Sequence, residues 1–322
     1  MSVLVYTESE NGKFKKNALE VASYGAQVAK QLGTTATAIS INSIENESLG
    51  TYGIPKVLSV TNNDLQNFNA KAYASALIQA AKAVDAQVVV ISSSTDAKYL
   101  APLVCAGLKA GYAPNVVALP ESTAPFVVKR TAFSNKGYAS TQINTNIKLV
   151  GVSSNSFGAK EDNATATVED FSPALSASDF TTKSTEVDKV VGKATIADAD
   201  IVVSGGRGLK GPENWGLIEE LADVLGAATA CSKPVSDLGW RPHGEHVGQT
   251  GKPVATNLYI AIGISGAIQH LAGVSASKVK VVINTDPEAP FFKAADYGIV
   301  GDAFEVVPQL IEKLKEFKAQ NT

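Results

Sequence analysis

The segment AQVVVISSS, residues 86–94, restricts the fold of this chain more than any other feature. Four apolar, mostly β-branched residues follow one another in it without a polar residue on either face. Such a strand is typical of a parallel sheet that helices cover on both sides. Ala-rich stretches with helical spacing precede it at 70–84 and follow it at 97–111. The segment therefore predicts a strand between two helices of an α/β domain.

The same alternation runs through the first half of the chain and predicts another helix at 17–33 and further strands at 3–8, 35–41, 56–62 and 115–119. Beyond residue 119 the pattern changes to strand-like runs separated by turn residues, at 124–133, 137–144 and 148–154. Several of these runs are expected to pair antiparallel. The expected fold of the first half is a mostly parallel α/β sandwich.

Residues 153–185 are polar and acidic and contain one short predicted strand near VEDF, 168–171. This composition is typical of a surface excursion or linker. We therefore divide the chain into an N-terminal α/β domain, residues 1–187, and a second domain, residues 188–322.

The second domain again alternates strands and helices. We expect strands at 201–203, 257–263, 278–286 and 297–302, and helices at 211–227, 265–273 and 307–320. Pro308 is expected in the first turn of the last helix, where its missing N–H costs nothing. This pattern predicts a Rossmann-like domain with a parallel sheet.

Charge and cysteine content exclude several classes of function. The chain has 28 basic and 31 acidic residues. This near balance gives no sign of a broad basic surface, so neither nucleic acid nor anionic lipid is expected as a partner. Cys105 and Cys231 are far apart and show no metal-ligand spacing. A first strand directly after Met1, and no apolar run of about 20 residues, favour a cytoplasmic protein without membrane insertion.

Two predicted strands of the second domain end in glycine-rich turns. IVV leads into SGGRG, residues 204–208, and LYIAI leads into GISGA, residues 263–267. Glycines let backbone amides approach a ligand closely, and the N-terminus of a following helix attracts phosphate. A single such turn is an ordinary connection, whereas a pair in one domain favours a nucleotide site. Neither turn matches GxGxxG or the P-loop motif.

Other polar motifs remain open to a structural interpretation. VGQTGK, residues 247–252, is either a strand-capping turn or a set of hydrogen-bonding groups around a heterocycle. His270 is either a half-buried helix residue or a ligand contact. His243 and His246 are interpreted as residues of a solvated loop, and Cys231 as a small core residue.

The strings SGGRGLK, VGQTG, GISGAIQH and INTDPEAP, in this order, closely resemble the alpha subunit of electron transfer flavoproteins. The resemblance is dense from Ile201 to the C-terminus and looser in the first half. It implies that the second domain binds FAD in an extended form. It also implies an electron carrier rather than an enzyme, with no catalytic residue and no metal.

The resemblance also implies individual contacts with FAD. Arg207 lies beside the pyrophosphate or the flavin, Thr250 near flavin N5, and His270 near the N1/O2 edge. Asn284 and Asp302 belong with the adenosine half, and the residues around 265–269 with the ribityl and phosphate groups. The complete implied set is Arg207, Ser232, Lys233, Val247, Gly248, Gln249, Thr250, Ser265, Gly266, Ala267, Ile268, Gln269, His270, Asn284 and Asp302.

One position departs from the family. Its members commonly carry Ser-Arg before VGQTG, with the guanidinium stacked on the flavin, whereas this chain has Ser232-Lys233. Lysine keeps the positive charge and loses the planar group that stacks on a ring.

The implied partners are a beta subunit, which the first domain contacts in a heterodimer, and two classes of redox protein. Flavin dehydrogenases such as the acyl-CoA dehydrogenases of fatty acid β-oxidation donate electrons, and a quinone oxidoreductase accepts them. An electron-bifurcating subunit is the alternative within the family. An NAD-dependent enzyme or nucleotide-sensing module is the alternative outside it, with His270 as its acid or base.

Overall fold

The computed structural model describes residues 2–133, 135–187, 196 and 199–321. The chain forms two compact units, Met1–Ala132 with Tyr138–Lys189, and Phe133–Gly137 with Val190–Thr322. The predicted boundary at 187/188 meets residues 188–195, which lie outside the described part of the chain, so it stays a prediction.

The strands of the first unit are β1 (Ser2–Thr7), β2 (Ser9–Glu10), β3 (Lys13–Phe14), β4 (Ala36–Ile41), β5 (Lys56–Val60), β6 (Ala86–Ser92), β7 (Gly111–Val116), β8 (Ser122–Thr123), β9 (Phe126–Ala132), β10 (Gly137–Gln142), β11 (Lys148–Val152) and β12 (Thr167–Asp170). Ten of them form one sheet with the order β10-β9-β7-β11-β6-β1-β4-β5-β12, in which β8 pairs with β9. The short strands β2 and β3 form a separate two-stranded sheet. The helices of the first unit are α1 (Lys16–Gln31), α2 (Ala70–Ala83) and α3 (Thr95–Leu108).

Helices cover both faces of the ten-stranded sheet, as the apolar sequence of β6 predicts. Residues of α1 belong to one hydrophobic cluster, with Val88 and Val90 of β6. Residues of α2 and α3 belong to the cluster on the other face, with Val89 and Ile91. Successive residues of β6 therefore point into two cores, which is why a polar residue is absent from this part of the strand.

The predicted boundaries around α3 are wrong by several residues. The helix ends at Leu108 because Lys109 adopts a left-handed conformation, with φ of 53°. The next strand, β7, then starts at Gly111 and ends at Val116 rather than covering 115–119.

Antiparallel pairing is confirmed for β9, which pairs antiparallel with β7 and β8. It does not extend to the 148–154 run, because β11 lies between β6 and β7 and is parallel to both. Leu149 and Val150 are fully buried on opposite faces of β11, as expected for a central parallel strand.

The polar segment 153–185 is part of the first unit and not a free linker. Its strand β12 extends the sheet by pairing parallel with β5. Glu20 of α1 accepts hydrogen bonds from the backbone of Asn155, Phe157 and Gly158 at 2.7–2.8 Å. Apolar residues spaced along the segment, Phe171, Leu175 and Phe180, pack on the cluster under α2. These few anchors outweigh the polar composition on which the linker prediction rested.

The strands of the second unit are β13 (Ile201–Gly205), β14 (Ala228–Cys231), β15 (Leu258–Ile262), β16 (Val279–Asn284) and β17 (Tyr297–Val300). They form one entirely parallel sheet with the order β14-β13-β15-β16-β17. The helices of this unit are α4 (Gly216–Leu225), α5 (Lys233–Asp237), α6 (Ile268–Val274) and α7 (Ala303–Gln320). The chain moves from β13 to β14 on one side and then to β15 on the other, so the strand order reverses between β13 and β15. The predicted α/β fold with mostly parallel sheets is confirmed.

Several details of the second unit differ from the prediction. Two 3-10 turns follow β13, so α4 begins at Gly216 and no α-helix starts directly after SGGRG. The short β14 and α5 were not predicted. The last helix begins at Ala303, which places Pro308 in its second turn, because the Asp302 side chain caps the helix by accepting a hydrogen bond from Phe304 N. Among the described residues, no helix is long and apolar enough to cross a membrane.

Candidate functional site

The two glycine-rich turns of the second unit touch each other. Gly206 N donates to Ile262 O at 2.8 Å, and Gly208 N donates to Gly263 O at 3.1 Å. A β-carbon built on Gly208 would lie 2.6 Å from the α-carbon of Gly263. Gly263 itself has φ of 64°, in the left-handed region. Only residues without a β-carbon allow the two backbones to approach this closely.

This contact lies where parallel α/β sheets bind ligands. Gly205 ends β13 and Ile262 ends β15, the strands between which the strand order reverses. Ligands of such sheets bind outside the carboxyl ends of the strands at the position of the reversal. The two turns therefore meet at the position where such a sheet binds its ligand.

The segment VGQTGK is attached to the same edge of the sheet. Val247 N donates to Cys231 O at the end of β14, at 3.0 Å. Gln249 N donates to Gln269 O, in the first turn of α6, at 2.7 Å. Val247 and Gly248 are buried, whereas the side chains of Gln249 and Thr250 are exposed. The structure therefore brings VGQTG and GISGAIQH together and presents the amide and the hydroxyl to solvent.

Arg207, Ser232 and Lys233 follow the carboxyl ends of β13 and β14. The side chain of Arg207 is exposed. Ser232 is buried, and its N–H donates to Gly205 O at 3.1 Å, which places it beside the first glycine turn. Lys233 begins α5 and forms an exposed ion pair with Asp237 at 3.6 Å.

The segment from Ser265 to Gln269 is mostly exposed backbone and side chain. Ser265, Ala267, Ile268 and Gln269 are all exposed. Gly266 is buried with φ of 86°, and a β-carbon there would lie 2.6 Å from the α-carbon of Phe291. Helix α6 starts only at Ile268 and is seven residues long. The exposed part of this segment is therefore the open turn, and not the end of a long helix.

Asn284 is the last residue of β16, and Asp302 follows β17 on the same edge. The Asn284 amide donates to Ile264 O at 3.1 Å, which joins the end of β16 to the GISGA turn. The Asp302 carboxylate caps α7 and pairs with Lys210 at 3.6 Å. All of the sequence-predicted site residues thus belong to one edge of one sheet, while their contacts with a cofactor stay predictions.

His270 is buried, with only 7% of its surface exposed. Its Nε2 shares a hydrogen bond of 2.9 Å with the hydroxyl of Tyr259, and its ring lies 6.0 Å from that of Phe291. Burial, and secondarily the charge of His246, lower the pKa of His270 to about 4, while the backbone of Val247 acts in the opposite direction. The imidazole is therefore neutral at physiological pH. Tyr259, a fully buried residue of β15, escaped the sequence analysis because a tyrosine in an apolar strand has no distinguishing pattern.

The interpretation of His246 as part of a solvated loop is wrong. His246 is 2% exposed and follows a 3-10 turn, His243–Glu245. His243 is exposed, as predicted, and shares a hydrogen bond with Ser236 at 2.9 Å. Cys231 is fully buried, and burial raises the pKa of its thiol to about 12, which agrees with a core residue. In the described part of the chain, no group of three or more His, Cys, Asp or Glu residues is arranged to hold a metal ion.

Comparison with known proteins identifies the family of this chain. Residues 195–275 match the electron transfer flavoprotein FAD-binding domain, and residues 3–176 match the electron transfer flavoprotein domain. The electron transfer flavoprotein subunit alpha of Thermoanaerobacterium thermosaccharolyticum is 36% identical, with 98% of each chain covered. The corresponding subunits of Paracoccus denitrificans and Bacillus subtilis are 36% and 34% identical, covering 98% of this chain and 100% and 97% of their own. This chain belongs to the electron transfer flavoprotein alpha-subunit family.

Family membership confirms the resemblance seen in the sequence and identifies the cofactor. The matched FAD-binding domain includes both glycine turns and the VGQTGK segment. The chain is thus a flavoprotein of electron transport, and FAD is the cofactor of its second domain.

Proposed function

We propose that this chain is the alpha subunit of a heterodimeric electron transfer flavoprotein and acts as an electron carrier rather than an enzyme. Its FAD accepts electrons from flavin dehydrogenases, such as the acyl-CoA dehydrogenases of fatty acid β-oxidation, and passes them to a quinone oxidoreductase. Residues 1–187 contact the beta subunit, and residues 188–322 hold the cofactor.

One observation carries this proposal. The SGGRG and GISGA turns pack against each other where the strand order reverses, inside the domain that matches the FAD-binding family. The missing β-carbons of Gly206, Gly208 and Gly263 let the two turns approach each other. Arg207 and Gly208 stay exposed at this contact, where an anionic group can reach them. When bound, FAD supplies a ring that takes up and releases electrons.

The residues at this edge fit FAD by their chemistry. The exposed guanidinium of Arg207 supplies a fixed positive charge for the pyrophosphate. The open turn from Ser265 to Gln269 offers hydroxyl, amide and backbone groups to the ribityl chain and the phosphates. The amide of Asn284 and the carboxylate of Asp302 are suited to the adenosine half, the latter as an acceptor for ribose hydroxyls.

We assign the flavin end of FAD to the other end of this sheet edge, next to β14. Gln249 and Thr250 present exposed hydrogen-bonding groups to the polar face of the isoalloxazine, directly after the buried residues Val247 and Gly248. Ser232 and Lys233 lie after β14, and the ammonium of Lys233 adds positive charge near this face. His270 acts here as a neutral imidazole held by Tyr259, and it orients its neighbours in α6 without bearing charge.

The proposal is tested by producing the chain together with the beta subunit of the same organism. We expect a yellow complex with one FAD attributable to the alpha chain. We also expect the flavin absorbance to bleach anaerobically when an acyl-CoA dehydrogenase and its acyl-CoA substrate are added. A complex that takes up no FAD would contradict the cofactor assignment. A flavin that is reduced by NADH alone, and not by any flavin dehydrogenase, would contradict the carrier function.

A further inference from the structure

The imidazole of His246 is enclosed by the turn Val247–Lys252, which carries Gln249 and Thr250. A β-carbon on Gly251 would lie 2.8 Å from Nδ1 of His246, and one on Gly248 would lie 3.2 Å from Nε2. Each ring nitrogen therefore faces one of the two glycines of the turn. The turn can follow this path only because both positions lack a side chain.

The backbone of His246 also holds both ends of this turn. The carbonyl of His246 accepts a hydrogen bond from Lys252 N at 2.8 Å, which closes the turn. Bridges pair His246 with Cys231 and Val247 with Lys252. Both the ring and the backbone of His246 contact this turn. A displacement of His246 is therefore transmitted to the exposed residues between Gly248 and Gly251.

The turn is further held from the side of α6. Gln249 N donates to Gln269 O, and a β-carbon on Gly273 would lie 2.6 Å from the α-carbon of Gly248. The turn is thus packed between α6 and the ring of His246. A change in the ring cannot be absorbed on the α6 side, where backbone already touches backbone.

Charge inside this packing is unfavourable. The Nδ1 of His246 has no hydrogen-bond partner in the described residues. Burial lowers the pKa of His246, the positive charges of His243 and Lys233 lower it further, and Asp237 acts in the opposite direction. On the side of α6, His270 is the titratable group whose pKa the charge of His246 lowers, and the loop before His246 carries the Arg241–Glu245 ion pair.

We propose that His246 is a positioning residue for the flavin, whose neutral ring sets the conformation of the turn Val247–Lys252 and so places Gln249 and Thr250. This inference rests on the proposed function, because the flavin is what the turn presents these groups to. Protonation of the ring opposes the same conformation, so affinity for FAD decreases as the pH falls.

The experiment compares His246→Ala and His246→Leu with wild type and with His243→Gln, an exposed histidine of the same loop. FAD affinity is measured by fluorescence titration of the deflavinated complex between pH 8 and pH 5. At pH 8 we expect His246→Ala to bind FAD about tenfold more weakly, and His246→Leu, which restores volume, to stay within about threefold of wild type. Wild type loses affinity toward pH 5, whereas His246→Leu does not. His243→Gln loses affinity from a higher pH than wild type, because it lacks a positive charge that lowers the pKa of His246.

Amide hydrogen exchange of the FAD-free protein separates this inference from the proposed function. Exchange at 247–252 is expected to be faster in His246→Ala than in wild type, whether or not the protein takes up FAD. Unchanged exchange with unchanged affinity in His246→Ala would overturn the positioning function. A wild-type pH dependence retained in His246→Leu would overturn the protonation step. If His246→Ala does not fold, the pH profile of His246→Leu still decides the matter.

Discussion

At the scale of single residues, one buried carboxylate holds a loop of the first unit. Glu20 is 5% exposed, and its Oε1 accepts from Phe157 N and Gly158 N while Oε2 accepts from Asn155 N. A carboxylate supplies acceptors on both oxygens, which an amide cannot do. Glu20 therefore holds the loop through its two acceptor oxygens more than through its negative charge.

We expect Glu20→Gln to lower the free energy of unfolding of the first unit by about 1.5–3 kcal/mol, because an amide NH₂ would then face a backbone N–H. Chemical denaturation followed by far-UV circular dichroism measures the change. Glu161→Gln is the matched control, since Glu161 lies exposed in the same loop region. Equal stability of the two variants would show that Glu20 does not hold the loop.

His270 gives the second prediction at this scale. Its pKa is lowered from 6.5 to about 4 in the folded protein, so below pH 6.5 the unfolded chain binds a proton that the folded chain does not. Stability is therefore complete above pH 6.5 and is lost as the pH falls toward 4, by about 3 kcal/mol at most. His270→Gln should remove this part of the pH dependence between pH 7 and pH 4. Parallel stability curves for wild type and variant would refute it.

At the scale of elements, the contact between the glycine turns fixes the positions of the two turns that the FAD proposal rests on. A β-carbon on Gly208 meets only the backbone of Gly263, with its α-carbon at 2.6 Å and its oxygen at 3.0 Å. No side-chain rotation relieves this contact, so the two turns have to separate. By contrast, a β-carbon on Gly216, at the start of α4, meets no heavy atom within 4 Å.

We therefore expect Gly208→Ala to destabilise the second unit by about 1–3 kcal/mol and to weaken FAD binding by about tenfold or more. Gly216→Ala should change stability by less than about 1 kcal/mol, with unchanged FAD affinity. Thermal unfolding and FAD titration of the two variants test this directly. Normal FAD binding by Gly208→Ala would mean that the close approach of the turns is not needed for the site.

The elements also show what the sequence can predict. β15 and its glycine turn were predicted from an apolar strand before small residues, since both signals are local. β14 and α5 were missed, because ATAC is short and KPVSD carries no apolar periodicity. Burial of His246 depends on a turn that returns six residues later to bond its carbonyl. Such burial arises from tertiary packing, which a local sequence pattern does not reveal. The Pro, Gly and Glu around the two histidines predict only a solvated loop.

At the scale of the whole molecule, the chain consists of two compact units. The first unit extends its sheet with β12 and anchors its polar segment internally. The second unit carries every proposed FAD contact at one edge of its own sheet. A ligand that binds only one unit stabilises that unit by mass action and leaves the intrinsic stability of the other unchanged.

This leads to a prediction for hydrogen exchange across the full chain. FAD at about 100 times its dissociation constant should raise the opening free energy of the second unit by about 2.7 kcal/mol. Protection should therefore increase about a hundredfold in β15, residues Leu258–Ile262, and little in β6, residues Ala86–Ser92. The Gly208→Ala protein serves as the control, since weaker FAD binding reduces the increase in β15. Equal increases in both strands would show that the two units unfold together. An increase confined to β6 would show that FAD binds the first unit, contrary to the prediction.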